Sequence, residues 1–312
     1  MTDDLATRAR LTRSAAFASI TMALLLAGLK IWAVLKTDST AMLGSLADTG
    51  LDLIASVATL VGVWVAAQPA DREHRFGHGK AEALAAMFQV VLISLSAFGL
   101  AFRAIEQLLS GHRVAGASEG ILVSVIAIAA TYVLLWWQRQ VIQRTGSVAI
   151  KTDNVHYKSD LFLNMGVIAA LALDHYAGLG GADPLFGLAI AVWLAWGGWR
   201  ASAEALDHLM DKEWPIEKRE QFLAVLAKHP ELKGVHDLRT RTSGAHDFVQ
   251  FHAMVNGGMT VAEAHTVMDE LEERIEREFP GVEVLIHPDP EGLVNETGSA
   301  AEELLPGLAE SH

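Results

Sequence analysis

An α-helical membrane protein, six transmembrane helices followed by a small α+β soluble domain, is what this sequence predicts. Three observations carry the prediction. Of 312 residues, 51% are hydrophobic and 20% are charged, and the two kinds are segregated along the chain. Most of the formal net charge of −13 lies after Asp211, where carboxylates outnumber Lys and Arg about two to one. Before Asp211, six apolar runs are each long enough to cross a bilayer, which takes about 20 helical residues. Two of those runs carry ionisable residues spaced four apart.

The runs fall near 14–35, 40–66, 82–109, 118–142, 149–173 and 184–208. Basic residues in the connections set their orientation. Arg8, Arg10 and Arg13 precede the first run, Arg72, Arg75 and Lys80 follow the second, and Arg139, Arg144 and Lys151 flank the fourth connection. The remaining connections hold Lys36, Arg113, and Asp174, His175 and Asp183. This bias places both termini in the cytoplasm. The first run is long enough to span, so the N-terminus does not read as a cleavable signal peptide.

The second run reads L-A-D-T-G-L-D-L from Leu46 and places Asp48 and Asp52 one helical turn apart. The fifth places His156 and Asp160 at the same spacing. Residues four apart lie on one helix face, so each run offers a pair of ligands pointing one way. An ionised carboxylate near the bilayer centre costs roughly 2.5–3.5 kcal/mol on insertion scales. Four such groups on two helices therefore read as one shared site, with a neutral His156 imidazole able to bind metal and a protonated one not.

The first half of the fifth run, Lys151 to Asp160, is almost wholly polar. Such a helix persists in a membrane only against other helices or a water-filled cavity. It suggests an aqueous vestibule opening to the cytoplasm, with Asp153 either a carboxylate on the ion's access path or an acid favoured by the helix dipole. In the second connection Asp71, His74 and His78 fall within eight residues, a plausible first-row metal set, and Gly77 and Gly79 allow tight wrapping.

After Asp211 the pattern changes. Residues 215–228 read as a helix with Pro215 at its start. Residues 235–242 and 248–255 read as strands joined around Ser243-Gly244. Residues 260–279 read as an amphipathic helix whose Thr260 and Glu263 form a capping box, and residues 282–287 as a third strand ended by Pro288. The order predicts a small open sheet with helices on one face. Residues 291–312, rich in Glu, Gly and Ala, read as a disordered tail. The chain has no cysteine, so disulfides and thiolate metal sites are excluded and His and carboxylates are the strong ligands left. Its acidity argues against nucleic-acid binding. No P-loop and no H-E-x-x-H motif is present.

Four motifs in this order, G-S-L-A-D-T-G-L-D, H-R-F-G-H-G-K-A-E, H-Y-K-S-D and I-H-P-D-P, resemble the cation diffusion facilitator family, and within it the prokaryotic YiiP-type zinc transporters. The resemblance covers about residues 10–290. It implies a six-helix domain over 1–211 and a ferredoxin-like cytoplasmic domain over 212–290, assembled as a homodimer in the cell inner membrane. Residue by residue, the resemblance implies that Asp48, Asp52, His156 and Asp160 correspond to a tetrahedral transport site, and Asp71, His74 and His78 to a loop site. His236, His252, His265, His287 and Asp289 correspond to a binuclear site at the cytoplasmic dimer interface, and Lys80 and Asp211 to a charge pair joining the membrane halves. The implied activity is proton-coupled export of zinc, with cadmium tolerated and zinc also held at the soluble site. No organic cofactor is implied. Iron(II) or manganese export by the same fold is the alternative, since carboxylate-rich sites suit harder ions. A membrane-anchored metal sensor is a remoter one. His112, His175, His208, His229, His246 and His312 match no motif and read as structural or solvent-exposed.

Overall fold

The computed structural model describes residues 2–37, 40–110, 117–177, 182–291 and 302–303. Six long helices come first: α1 (Thr2–Thr37), α2 (Thr40–Ala66), α3 (Ala81–Ser110), α4 (Ala117–Thr145), α5 (Val148–Ala177) and α6 (Ala182–Leu209). Among the described residues, four stretches are long and apolar enough to cross a membrane: Ala6–Trp32, Thr49–Ala66, Ala81–Ser110 and Val125–Thr145. The polar start of α5 is helical rather than a loop.

The burial pattern suits lipid rather than water. Large apolar side chains such as Leu24, Trp64, Phe98, Phe102, Val133 and Trp199 face outward. Thr152, Asp153, Asn154, His156 and Ser159 of α5 are buried inside. With hydrocarbon outside, no hydrophobic force favours burying leucine, and polar groups must find partners within the bundle. Small residues make the helix contacts, including Ala15, Ala16, Ala85, Ala86 and Ala149. Helices α2 and α3 approach closely at Gly62 of α2, where a Cβ would stand 2.3 Å from the Ala85 Cβ of α3. Only glycine fits there. Helix α3 packs mainly on α6, and α5 lies between α4 and α6. The turn from α4 into α5 is made by Gly146 at φ 63°, and the Arg8 guanidinium holds the Thr145 carbonyl beside it.

Chain contacts separate Asp3–Leu209 from a second unit that begins at Met210. This unit contains α7 (Ile216–Leu226), β1 (Gly234–Ser243), β2 (His246–Val255), α8 (Val261–Glu278), β3 (Val282–Pro290) and β4 (Glu302–Glu303). The sheet order is β3-β2-β1-β4, with β1–β2 antiparallel and β2–β3 parallel. The parallel pair requires a crossover, which α8 supplies. Phe222, Leu226, Val249, Phe251, Val267, Leu271 and Ile275 form the core between helices and sheet. Period-2 alternation leaves His236, His252 and His287 on the opposite face of the sheet, away from that core.

The capping box is present: Thr260 Oγ1 accepts from the Glu263 N–H, and Glu263 accepts from the Thr260 N–H at 2.7 Å. That last bond holds the Glu263 carboxyl below its ordinary range. His229, read as structural or solvent-exposed, is buried and pairs with Glu270 at 3.0 Å. The expected disordered tail falls on residues of which only Glu302 and Glu303 are described beyond Glu291, and these two pair with His236 and Val235 at the edge of β1.

Candidate metal sites

Helix α2 supplies Asp52 and α5 supplies His156 and Asp160. His156 Nε2 lies 2.9 Å from Asp52 Oδ1 and 3.9 Å from Asp160 Oδ2. One ligand atom from each of the three falls within 4.8 Å of the others. Zinc bonds to nitrogen and oxygen are about 2 Å long, so donors around one ion stand about 3–4 Å apart, and small shifts bring these three onto one centre. The i, i+4 spacing on α5 aims His156 and Asp160 the same way. Asp48 lies one turn before Asp52 on α2, but its side chain is outside the described residues. The His156 ring is buried, and Tyr157 beside it hydrogen-bonds Ser56 of α2 at 3.0 Å and donates to the Ser19 carbonyl of α1 at 2.9 Å.

The loop after α2 brings Asp71, His74 and His78 together. Asp71 Oδ1 accepts from the backbone N–H of His74 at 2.6 Å and of Glu73 at 2.9 Å, an Asx-type turn. The His74 N–H holds the Asp71 carboxyl below its usual range despite some desolvation. His74 Nδ1 and His78 Nε2 stand 3.3 and 3.4 Å from the same carboxylate. Gly77 at φ 76° turns the chain between them.

In the second unit strand register decides which residues meet. His236 is opposite His252 across β1–β2, and His252 is opposite His287 across β2–β3. The three rings form a row, with centroids 4.8 and 4.7 Å apart. Asp289 Oδ2 lies 3.1 Å from His236 Nε2 and 2.7 Å from His252 Nδ1, and Asp289 Oδ1 lies 3.4 Å from His287 Nε2. His236, His252 and Asp289 meet the same 4.8 Å criterion, so this set fits a bound zinc ion. His265 stands apart from this group within the chain: its exposed ring is set against Asp269, 3.8 Å away on α8.

Lys80 Nζ donates to the Leu209 carbonyl at 3.2 Å, and Asp211, at φ 55°, lies 3.6 Å from Arg241. Asp153, expected either on the ion's access path or as an acid favoured by the helix dipole, is fully buried and accepts hydrogen bonds from Ser19, Gln89 and Gln138. The helix buries it against three neighbours because its polar face points into the bundle.

Sequence reasoning missed two groups. Asp237 takes φ 51° at a β-bulge in β1 and places its carboxylate 3.9 Å from His252 Nε2. Ser19, with Thr21 close by, Gln138, with Arg139 and Gln140 beside it, and Gln89 were also overlooked, although Gln89 is a lone polar residue in an apolar stretch. That is the signal that marks a buried partner in a membrane helix.

The fold and these ligand groups define a helical membrane protein that handles metal cations, coupled to a soluble domain with a metal-fitting sheet face. The chain belongs to the cation efflux family: its transmembrane-domain profile matches residues 16–210 and its cytoplasmic-domain profile residues 214–291. The cation-efflux pump FieF of Serratia proteamaculans is 40% identical over 92% of this chain and 96% of its own. FieF of Escherichia coli O127:H6 is 39% identical over 93% and 96%. A solved chain of CzrB, described as a candidate zinc transporter in its Zn form, is 40% identical over 27% of this chain and 97% of that one, with a TM-score of 0.26. The protein is thus a membrane transporter of metal cations rather than an enzyme.

Proposed function

We propose that this protein is a proton-coupled antiporter that exports zinc, and with it cadmium, from the cytoplasm by alternating access. One observation carries the reading: a buried Asp52–His156–Asp160 group shared by two helices, with Asp48 one turn away. Three carboxylates and one neutral imidazole make a site that is anionic when empty and carries a charge of about −1 around a divalent ion, so either state costs less in a low-dielectric bundle than isolated charges would. His156 must be neutral to coordinate. A proton arriving from outside displaces the ion, and its loss towards the cytoplasm regenerates the ligand. Transport then draws on the proton gradient, with rearrangement of helices around the site exposing it to each side in turn.

Further parts of the reading follow from the family and from fit. All six helices span the inner membrane, with both termini cytoplasmic. Asp71, His74 and His78 bind a second ion. His236, His252 and Asp289 hold zinc on the open sheet face of a homodimer, with His287 and His265 as further ligands of a binuclear centre. Lys80 and Asp211 serve as the charge pair of the membrane halves. The domains divide at 211 and 290. The one imidazole among carboxylates favours zinc over iron(II) or manganese. The test is flux of zinc, cadmium, iron(II) and manganese into proteoliposomes with and without a proton gradient. The expectation is proton-dependent zinc and cadmium flux, lost in Asp52→Ala. Flux indifferent to the gradient, or an unimpaired Asp52→Ala, overturns the reading.

A further inference from the structure

We propose that Asp153 is a positioning residue for the transport site, the centre of a buried polar joint that fixes the rotation of α5 and so aims His156 at Asp52. The proposal rests on the reading of Asp52, His156 and Asp160 as the transport site.

Asp153 is 0% exposed. Its Oδ2 accepts from Ser19 Oγ of α1 at 2.6 Å and from Gln138 Nε2 of α4 at 2.8 Å, and its Oδ1 from Gln89 Nε2 of α3 at 2.9 Å. The same Gln89 nitrogen reaches Thr59 Oγ1 of α2 at 2.6 Å. Gln138 also donates to Ser19 Oγ at 3.1 Å and accepts from Asn154 at 3.0 Å. Four helices, α1, α3, α4 and α5, therefore meet at one carboxylate, and α2 joins them through Gln89 and Thr59.

Asp153, His156 and Asp160 occupy positions i, i+3 and i+7 of α5, which share a face. The joint lies one turn before the metal-ligand pair, about 4.5 Å along the axis at 1.5 Å per residue. Just beyond His156 a second tie, Tyr157 to Ser56 and to the Ser19 carbonyl, fastens α5 to α2 and α1. Ser56 is itself one turn beyond Asp52. His156 is thus bracketed by two buried polar fastenings. In a bundle surrounded by hydrocarbon, rotating α5 would strand these donors and acceptors without water to replace their partners. That penalty selects one rotation of α5.

The alanine and asparagine variants together separate a geometric role from a purely electrostatic one, since asparagine keeps the polar shape and removes the charge. The experiment is zinc flux into proteoliposomes by wild type, Asp153→Ala, Asp153→Asn and Asp52→Ala. Removing outer partners that orient metal ligands typically weakens metal affinity about 10–100-fold. Asp153→Ala should raise the zinc KM by about tenfold or more while kcat falls less. Asp153→Asn keeps an acceptor and a polar shape, and should restore most of the KM. Wild-type KM in Asp153→Ala overturns the proposal, as does an Asp153→Asn damaged as severely as the alanine variant. If Asp153→Ala does not yield folded protein, Ser19→Ala and Gln138→Ala each remove one donor, and a normal KM in both overturns it. Asp52→Ala separates the two readings: lost flux there beside a normal Asp153→Ala sinks this proposal alone, whereas normal flux in Asp52→Ala sinks the site itself.

Discussion

His156 Nε2 and Asp52 Oδ1 stand 2.9 Å apart although 104 positions separate them in sequence. The contact joins α2 to α5 at the point where both helices carry ionisable groups inside the bundle. An imidazole nitrogen held against a carboxylate can carry a proton or share a metal ion, and cannot do both at once.

That exclusion predicts competition. An imidazolium has no lone pair on the nitrogen that would bind metal, so acidifying the side from which zinc loads should raise its apparent KM. Acidifying the opposite side should speed release. Initial rates of zinc flux at several pH values on each face of proteoliposomes check both signs, and equal KM at all loading pH values contradicts the coupling through His156.

The soluble cluster predicts a hierarchy among its ligands. Asp289 is within 3.4 Å of all three histidines of the row, whereas His287 lies at its edge. If zinc binds there, saturating ion at about 100 times Kd should stabilise the protein by about 2.7 kcal/mol. Asp289→Ala should abolish that gain, and His287→Ala should retain more of it than Asp289→Ala does. Thermal unfolding of the full-length protein with zinc and with chelator reads the difference.

Gly62 predicts a steric cost. A methyl placed 2.3 Å from the Ala85 Cβ must push α2 from α3. Gly62→Ala should destabilise the helical unit by about 1–3 kcal/mol, the usual range for overpacking. The paired change Ala85→Gly should recover part of the loss, measured as the Tm of detergent-solubilised protein.

The α8 capping box predicts a pH-dependent contribution. Thr260→Ala should cost about 1 kcal/mol at neutral pH. The Glu263 carboxyl is held low by the Thr260 N–H, so the ionised form is the stabilising one. Its contribution is present above the unfolded-state value of about 4.3 and disappears as pH falls through the lower folded value. The stability gap between wild type and Glu263→Ala should therefore close in acid. Denaturant unfolding at neutral and acidic pH tests this.

Local pattern determined much of this protein. Apolar runs marked the helices, the i, i+4 pairs Asp48/Asp52 and His156/Asp160 marked candidate ligands, of which Asp52, His156 and Asp160 come together, and Thr260 with Glu263 marked the start of α8. Each depends on helical periodicity or a short backbone hydrogen bond, which a few neighbouring residues fix by themselves. Tertiary structure decided what those residues meet. Asp153 read as a carboxylate on the way to the site, yet Ser19, Gln89 and Gln138 come from three other helices and enclose it. His236, His252 and His287 lie tens of residues apart and meet only through the register of β1, β2 and β3, which one bulge at Asp237 adjusts. The resemblance implied His265 as a ligand alongside them, but within this chain its ring lies beside Asp269 of its own helix. Periodicity says which face a residue occupies, whereas the partner across that face depends on packing among segments far apart in the chain.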